Sequence, residues 1–166
     1  CEQGVPWFDA GQPSAGNGAL MRVAAHVVPH ASGTGAGLGV DAALGSLITH
    51  KDSAAIGVSV AAAGMLWALL RRPRGVAPEP GWWLARYAEV GAALESGMGY
   101  TPKGGVFVGQ VGPLWRLVTE WVQSAWAAGK PVRQACNEWY SGAFLLETWP
   151  SVLYILMRHA HDPEEA

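Results

Sequence analysis

DSAAIGVSVAAAGMLWALLRR, Asp52 to Arg72, is the stretch that decides how the rest of the chain is read. Asp52 and Ser53 are residue types that cap a helix, because their side chains accept from the first free backbone N–H groups. From Ala54 to Leu70 only Ser59 is polar, and Arg71-Arg72 closes the run. Two readings compete. A membrane span would need roughly 17–25 apolar residues, and this run sits at the bottom of that range. It is also rich in alanine and glycine, and no second segment like it exists. A helix that is apolar on every side otherwise belongs in the middle of a larger helical domain. We therefore expect a buried core helix over 54–70, and expect Gly64→Leu to overpack it. The competing reading, a small membrane protein, predicts detergent dependence.

Outward from this helix the pattern stays helical. Upstream, 1–15 is rich in glycine, proline and turn formers and reads as loop. Ala19 to Val28 reads as a short helix opened by Gly16-Asn17-Gly18, and Ala31 to Gly39 as a second loop. Asp41 is the expected N-cap of a helix through Thr49. Downstream, Arg74 to Gly81 is a linker, and Trp82 to Leu94 is helical with Trp83, Tyr87 and Val90 at helical spacing. Gly97 to Gly112 is glycine-rich, with Val106-Phe107-Val108 as its one strand-like piece. Pro113 opens a helix to Ala128, and Val132 to Leu145 forms another. A break at Trp149-Pro150 precedes a last, shorter helix over Ser151 to His159. The fold class expected is all-α: one domain, 1–166, of six or seven helices. Nine tryptophans suit its packed interior.

Composition excludes several classes of function. Half the residues are apolar and 14% are charged, against about 25% in an ordinary domain. The formal charge of −2 gives no electrostatic case for a nucleic-acid partner. Cys1 and Cys136 make neither a disulfide framework nor a C-x-x-C metal pair, so a reduced, cytoplasmic setting is the default. The chain opens on Cys1 with no signal peptide behind it, and it closes on Asp162-Pro163-Glu164-Glu165-Ala166. A proline followed by two acids is first-turn helix chemistry. Both ends thus read as cuts, and the domain is expected to be truncated at each.

The residues that carry chemistry are few. His26 and His30 share a helical spacing, but Pro29 lies between them and no H-E-x-x-H glutamate accompanies them. A helix-end pair is the plainer reading, with no metal role. His159 and His161 read as surface. Asp9, Asp41, Asp52 and Asp162 are all separate, whereas a hard cation needs several oxygens close together. No G-x-S-x-G elbow occurs. The remaining feature is PSAGNGALMR, Pro13 to Arg22. Its glycines let backbone approach a ligand closely, and N–H groups at a following helix N-terminus would face an anion. Asn17 both donates and accepts, and Ser14 adds a hydroxyl. A plain turn before a helix explains the same residues.

SAGNGALMR resembles the G-N-G-x-x-M-R segment of the ADP-ribosylglycohydrolases, the family of dinitrogenase reductase-activating glycohydrolase. Leu47-Ile48-Thr49-His50 is similar to that family's Thr-His segment. Phe144-Leu145-Leu146-Glu147-Thr148-Trp149-Pro150-Ser151 is similar to the stretch before its last metal motif. The three occur in family order, so the chain looks like the central and C-terminal part of that all-α fold.

The resemblance implies a hydrolase that cleaves the bond between ADP-ribose and a protein side chain or small acceptor. It implies that Ser14, Gly16, Asn17, Gly18 and His50 bind the substrate. Ser14 would lie near the diphosphate and His50 against the ribose, with Met21 filling the core and Arg22 bracing the loop. Trp7 or Phe8 would stack on adenine. The implied cofactor is Mg2+, a pair of ions beside the distal ribose. Its family ligands, an N-terminal acidic cluster and a C-terminal D-x-D-T, do not occur in this sequence; they would belong before Cys1 and after Ala166, in remaining segments of the same protein. No catalytic residue is assigned within the chain. The alternative is a non-catalytic ADP-ribose-binding or structural relative that lacks the metal site. Paired aspartates upstream and D-x-D-T downstream would favour the enzyme.

Overall fold

The structure, a computed structural model, describes residues 4–95, 100, 102, 107–162 and 164. Among these it is all-α, with seven helices and no sheet. They are α1 (Ala24–Val27), α2 (Leu38–Leu47), α3 (Ser53–Leu70), α4 (Pro80–Leu94), α5 (Leu114–Ala127), α6 (Val132–Glu138) and α7 (Leu145–His159).

Helix α3 is the core helix that the sequence calls for. Asp52, in an extended conformation, caps it by accepting from the N–H groups of Ala54 (2.9 Å) and Ala55 (3.3 Å). Nine of its 18 residues are buried, from Ala54 to Met65. It lies between α1 and α2 on one side and α4 on the other, and α4 in turn packs on α5 and α7. The α4–α7 contact is aromatic: the rings of Tyr87 and Trp149 meet edge-on at 5.6 Å. Tyr154, in the buried face of α7, donates to the Lys130 carbonyl (2.6 Å) beyond the end of α5.

Several local expectations are corrected. Asp41 does not cap α2. The helix starts earlier, at Leu38, behind Gly37, whose φ of 85° is the left-handed turn that glycine adopts without strain. Asp41 instead meets His30 Nε2 at 2.7 Å. The segment 19–30 is not one helix but α1 between two 3-10 turns, Leu20–Arg22 and Val28–His30, the second carrying Pro29.

The break expected at Trp149-Pro150 lies instead at 139–144. There Tyr140 and Ser141 take positive φ (70° and 48°), and α7 runs straight through Pro150. Burial of Leu146, Trp149, Leu153 and Tyr154 on one face outweighs the one backbone bond that the proline forfeits. Phe107 and Val108 lie in a turn, while Val106 falls outside the described residues. Gly64 is also not a tight position, since a Cβ there would find nothing within 4 Å. Crowded helix contacts lie instead at Gly45, against the His26 ring of α1, and at Gly91, where a Cβ would overlap the Cβ of Trp115 on α5.

Gly91→Val should therefore cost about 1–3 kcal/mol by overpacking the α4–α5 contact. Gly64→Ala should be neutral or stabilising by up to about 1 kcal/mol, because alanine lowers the entropy lost on helix formation. Urea unfolding monitored by circular dichroism separates the two, and the opposite ranking would show that the α4–α5 contact is misplaced.

Candidate functional site

The loop around Gly16-Asn17-Gly18 is clamped from two sides by chain distant in sequence. On one side Gln12 pairs with the α2–α3 junction: its N–H donates to Thr49 O (3.0 Å), and its carbonyl accepts from Lys51 N–H (2.8 Å). On the other side Gly16 pairs with Phe144. Asn17 N–H donates to Ala143 O (2.8 Å), and Leu145 N–H donates to Ala15 O (2.9 Å). The Asn17 side chain adds a third tie, its Nδ2 donating to Thr148 Oγ1 (3.1 Å) on the first turn of α7. Thr148 gives its own proton to the Gly142 carbonyl. It must therefore accept from Asn17, which fixes the amide so that Oδ1 points away, with no hydrogen-bond partner among the described residues.

The glycines have a different reason from the one expected. Neither Gly16 nor Gly18 has a positive φ, so conformational freedom is not what they supply. They make room for His50. A Cβ on Gly16 would lie 3.1 Å from His50 Nε2, and a Cβ on Gly18 would lie 2.9 Å from His50 Cε1. Ser14 is on the same side, with its Oγ 3.7 Å from the position of a Gly16 Cβ. Ser14, Gly16, Gly18 and His50 thus converge, with Asn17 on the same loop. The helix N-terminus expected behind the loop is absent: only a three-residue 3-10 turn and the four-residue α1 follow, and the Asn17 N–H is already taken. Met21 does not fill the core either, being 79% exposed.

Arg22 does brace the site. It donates to Gly45 O (3.0 Å) and to Thr49 Oγ1, and Thr49 Oγ1 is 2.8 Å from His50 Nδ1. Arg22 occupies one lone pair of the Thr49 hydroxyl, whose proton and second lone pair are left to share with Nδ1. When that hydroxyl donates, the neutral ring carries its proton on Nε2, the atom facing the two glycines. Burial and then the Arg22 charge hold the His50 pKa below its ordinary 6.5, against an opposing pull from Asp52. Trp7 and Phe8 meet edge-on at 5.6 Å and are both half-exposed. Trp7, unlike Phe8, borders a cleft of about 340 Å³ against α2.

Four residues beside the site had no assigned role in the sequence reading: Thr148, Glu147, Tyr100 and Glu95. Glu147 is buried at the start of α7 and accepts from Phe144 N–H (3.3 Å). A Cβ on Gly142 would overlap its carboxylate. Tyr100 is tied to Gly112 by a two-way backbone bridge. Burial, then the charges of Asp52 and Glu147, raise its pKa to about 12. Glu95, 2% exposed, ends α4; its Oε2 accepts from Trp115 N–H (3.3 Å), and its Oε1 has no partner among the described residues. Burial raises its pKa to about 7, partly offset by the N–H groups of Trp115 and Leu114. Spacing gives no warning of the bond between Asn17 and Thr148, which joins segments from opposite ends of the chain.

Between its ordinary pKa near 4.5 and about 7, Glu95 holds a proton in the folded chain that it loses on unfolding. Its contribution is complete below pH 4.5 and fades as pH rises to 7, by up to roughly 3 kcal/mol. We predict that Glu95→Gln flattens this limb of the stability profile, measured by urea unfolding at pH 5, 6, 7 and 8. An unchanged pH dependence in the variant would place the titrating group elsewhere.

Comparison with curated proteins and with solved structures returned no match. A family model does match, over residues 1–166. Its description is ADP-ribosylglycohydrolase, and the all-α architecture agrees with it. The chain belongs to the ADP-ribosylglycohydrolase family.

Proposed function

We propose that this chain holds ADP-ribose in a hydrolase that cleaves the glycosidic bond between ADP-ribose and an acceptor, a protein side chain or a small molecule. In the net reaction a water oxygen bonds to the ribose C1″, the bond from C1″ to the acceptor breaks, and the acceptor leaves with a proton from water. The observation that carries the proposal is the neutral His50 ring seated across Gly16 and Gly18. From there Nε2–H donates to a sugar or phosphate oxygen, while Asn17 Oδ1 accepts from a hydroxyl. Ser14 adds a hydroxyl, and the two glycines let the ligand approach the backbone. Together these groups hold the ribose in one orientation, which is how positioning lowers a barrier.

Family resemblance implies magnesium dependence in the intact protein. Among the described residues no three His, Cys, Asp or Glu side chains gather as a metal shell requires. The carboxylates nearest the loop are engaged, Asp52 as the α3 cap and Glu147 with Phe144 N–H. The described residues thus do not fit the ion. On this proposal its ligands lie outside them, and no step above depends on it.

In the intact enzyme His50→Ala and Asn17→Ala should each lower kcat/KM on an ADP-ribosylated reporter by about tenfold to a hundredfold, the effect of losing one or two buried hydrogen bonds. Gly18→Val should be worse, because its side chain displaces the His50 ring. Arg86→Ala, which removes an exposed ion pair with Glu89, serves as the control that keeps full activity. Losses that merely track the melting temperature would make the loop a structural turn. Tight ADP-ribose binding without turnover of any linkage would favour the non-catalytic relative.

A further inference from the structure

At the far end of α3 and α7, away from the Gly-Asn-Gly loop, a groove of about 710 Å³ opens beneath the 72–78 segment. That size suits a small organic ligand, for which pockets run from about 300 to 1,000 Å³. Leu69, Val76, Trp83 and Leu156 give it apolar walls. Arg72, Arg74, His159 and His161 also line it, and every charged or titratable group among its lining residues is basic. Two arginines and two histidines thus gather at one groove of a chain whose formal charge is −2.

Among the described residues these basic groups enter no ion pair. The ion pairs among the described residues are His30–Asp41, Lys51–Asp9, Arg86–Glu89 and Lys130–Glu138, and none involves this groove. Glu79, Asp162 and Glu164, described carboxylates next to it in sequence, are in none of them. Arg71 is the contrast. It stacks on Trp67 and donates to Gly33 O (2.8 Å), so it serves the scaffold. Arg72 stacks on Trp82 with its guanidinium 5.2 Å from the ring centroid, a contact that leaves its N–H donors available.

Apolar walls under an unpaired cationic rim fit one chemistry: an alkyl chain that ends in an oxyanion. We propose that this groove is a second binding site, distinct from the ADP-ribose loop, for an aliphatic carboxylate of the fatty-acid type. The walls would remove the chain from water, and the rim would meet the carboxylate with charge-assisted hydrogen bonds.

Titration calorimetry of the full-length protein with dodecanoate tests this. We expect one site with a Kd of about 10–100 µM. Dodecanol, which lacks the charge, and acetate, which lacks the chain, should each bind at least about tenfold more weakly. Arg74→Glu/His161→Glu, both exposed positions, should weaken dodecanoate at least about tenfold with the melting temperature unchanged. Val76→Trp should weaken it by filling the groove, and saturating ADP-ribose should leave it bound. No binding of dodecanoate at millimolar concentration would overturn the proposal. So would equal affinity for dodecanol, or undiminished binding to the charge-reversed variant.

Discussion

The site depends on three pieces of chain meeting at one place: 12–17, 49–52 and 142–148. Backbone bonds join the first to each of the others, and the Asn17 side chain bonds across to Thr148. The bond from Asn17 to Thr148 spans 131 positions in sequence. Such a junction forms only once α2, α3 and α7 are in place, so core packing and site geometry are one problem. The small residues follow from the same constraint. Gly11 lies against the Leu47 carbonyl, Gly16 and Gly18 against His50, and Gly142 against Glu147. A side chain at any of these would push two segments apart.

The charges near the junction are arranged by burial more than by pairing. His50 stays neutral because it is partly buried and near Arg22, and Thr49 holds its Nδ1 in a hydrogen bond. Glu95 is held partly protonated near neutral pH by burial. Tyr100 is kept from ionising by burial and by two neighbouring carboxylates. The result at physiological pH is a neutral imidazole and a neutral phenol, with Glu95 only partly ionised. A fixed N–H and a fixed carbonyl oxygen can read a ribose without the desolvation cost that a buried charge carries.

Much of the fold was legible in the sequence, because it is written in local signals. The apolar run 54–70 and its Asp52 cap identify α3, and Pro113 marks where α5 begins; α4 starts at Pro80, two residues before the Trp82 expected. The errors came where tertiary packing outvoted a local rule. Pro150 reads as a break, yet a buried aromatic face carries α7 through it. Asp41 reads as a cap, yet Gly37 starts the helix and Asp41 turns to His30. At the candidate site the loop and His50 could be named from their motifs, but the reason for the glycines could not. It lies in the His50 ring, which arrives from a segment some thirty residues later. Thr148 and Gly142 were silent for the same reason.

The most direct measurement is the nitrogen spectrum of the His50 imidazole, recorded on 15N-histidine-labelled protein at pH 7 while ADP-ribose is added. The proposed site has a neutral ring that donates from Nε2, and it requires that Nε2 resonance to move as ADP-ribose saturates. A ring protonated on Nδ1, or an Nε2 signal unmoved at saturating ADP-ribose, would contradict both.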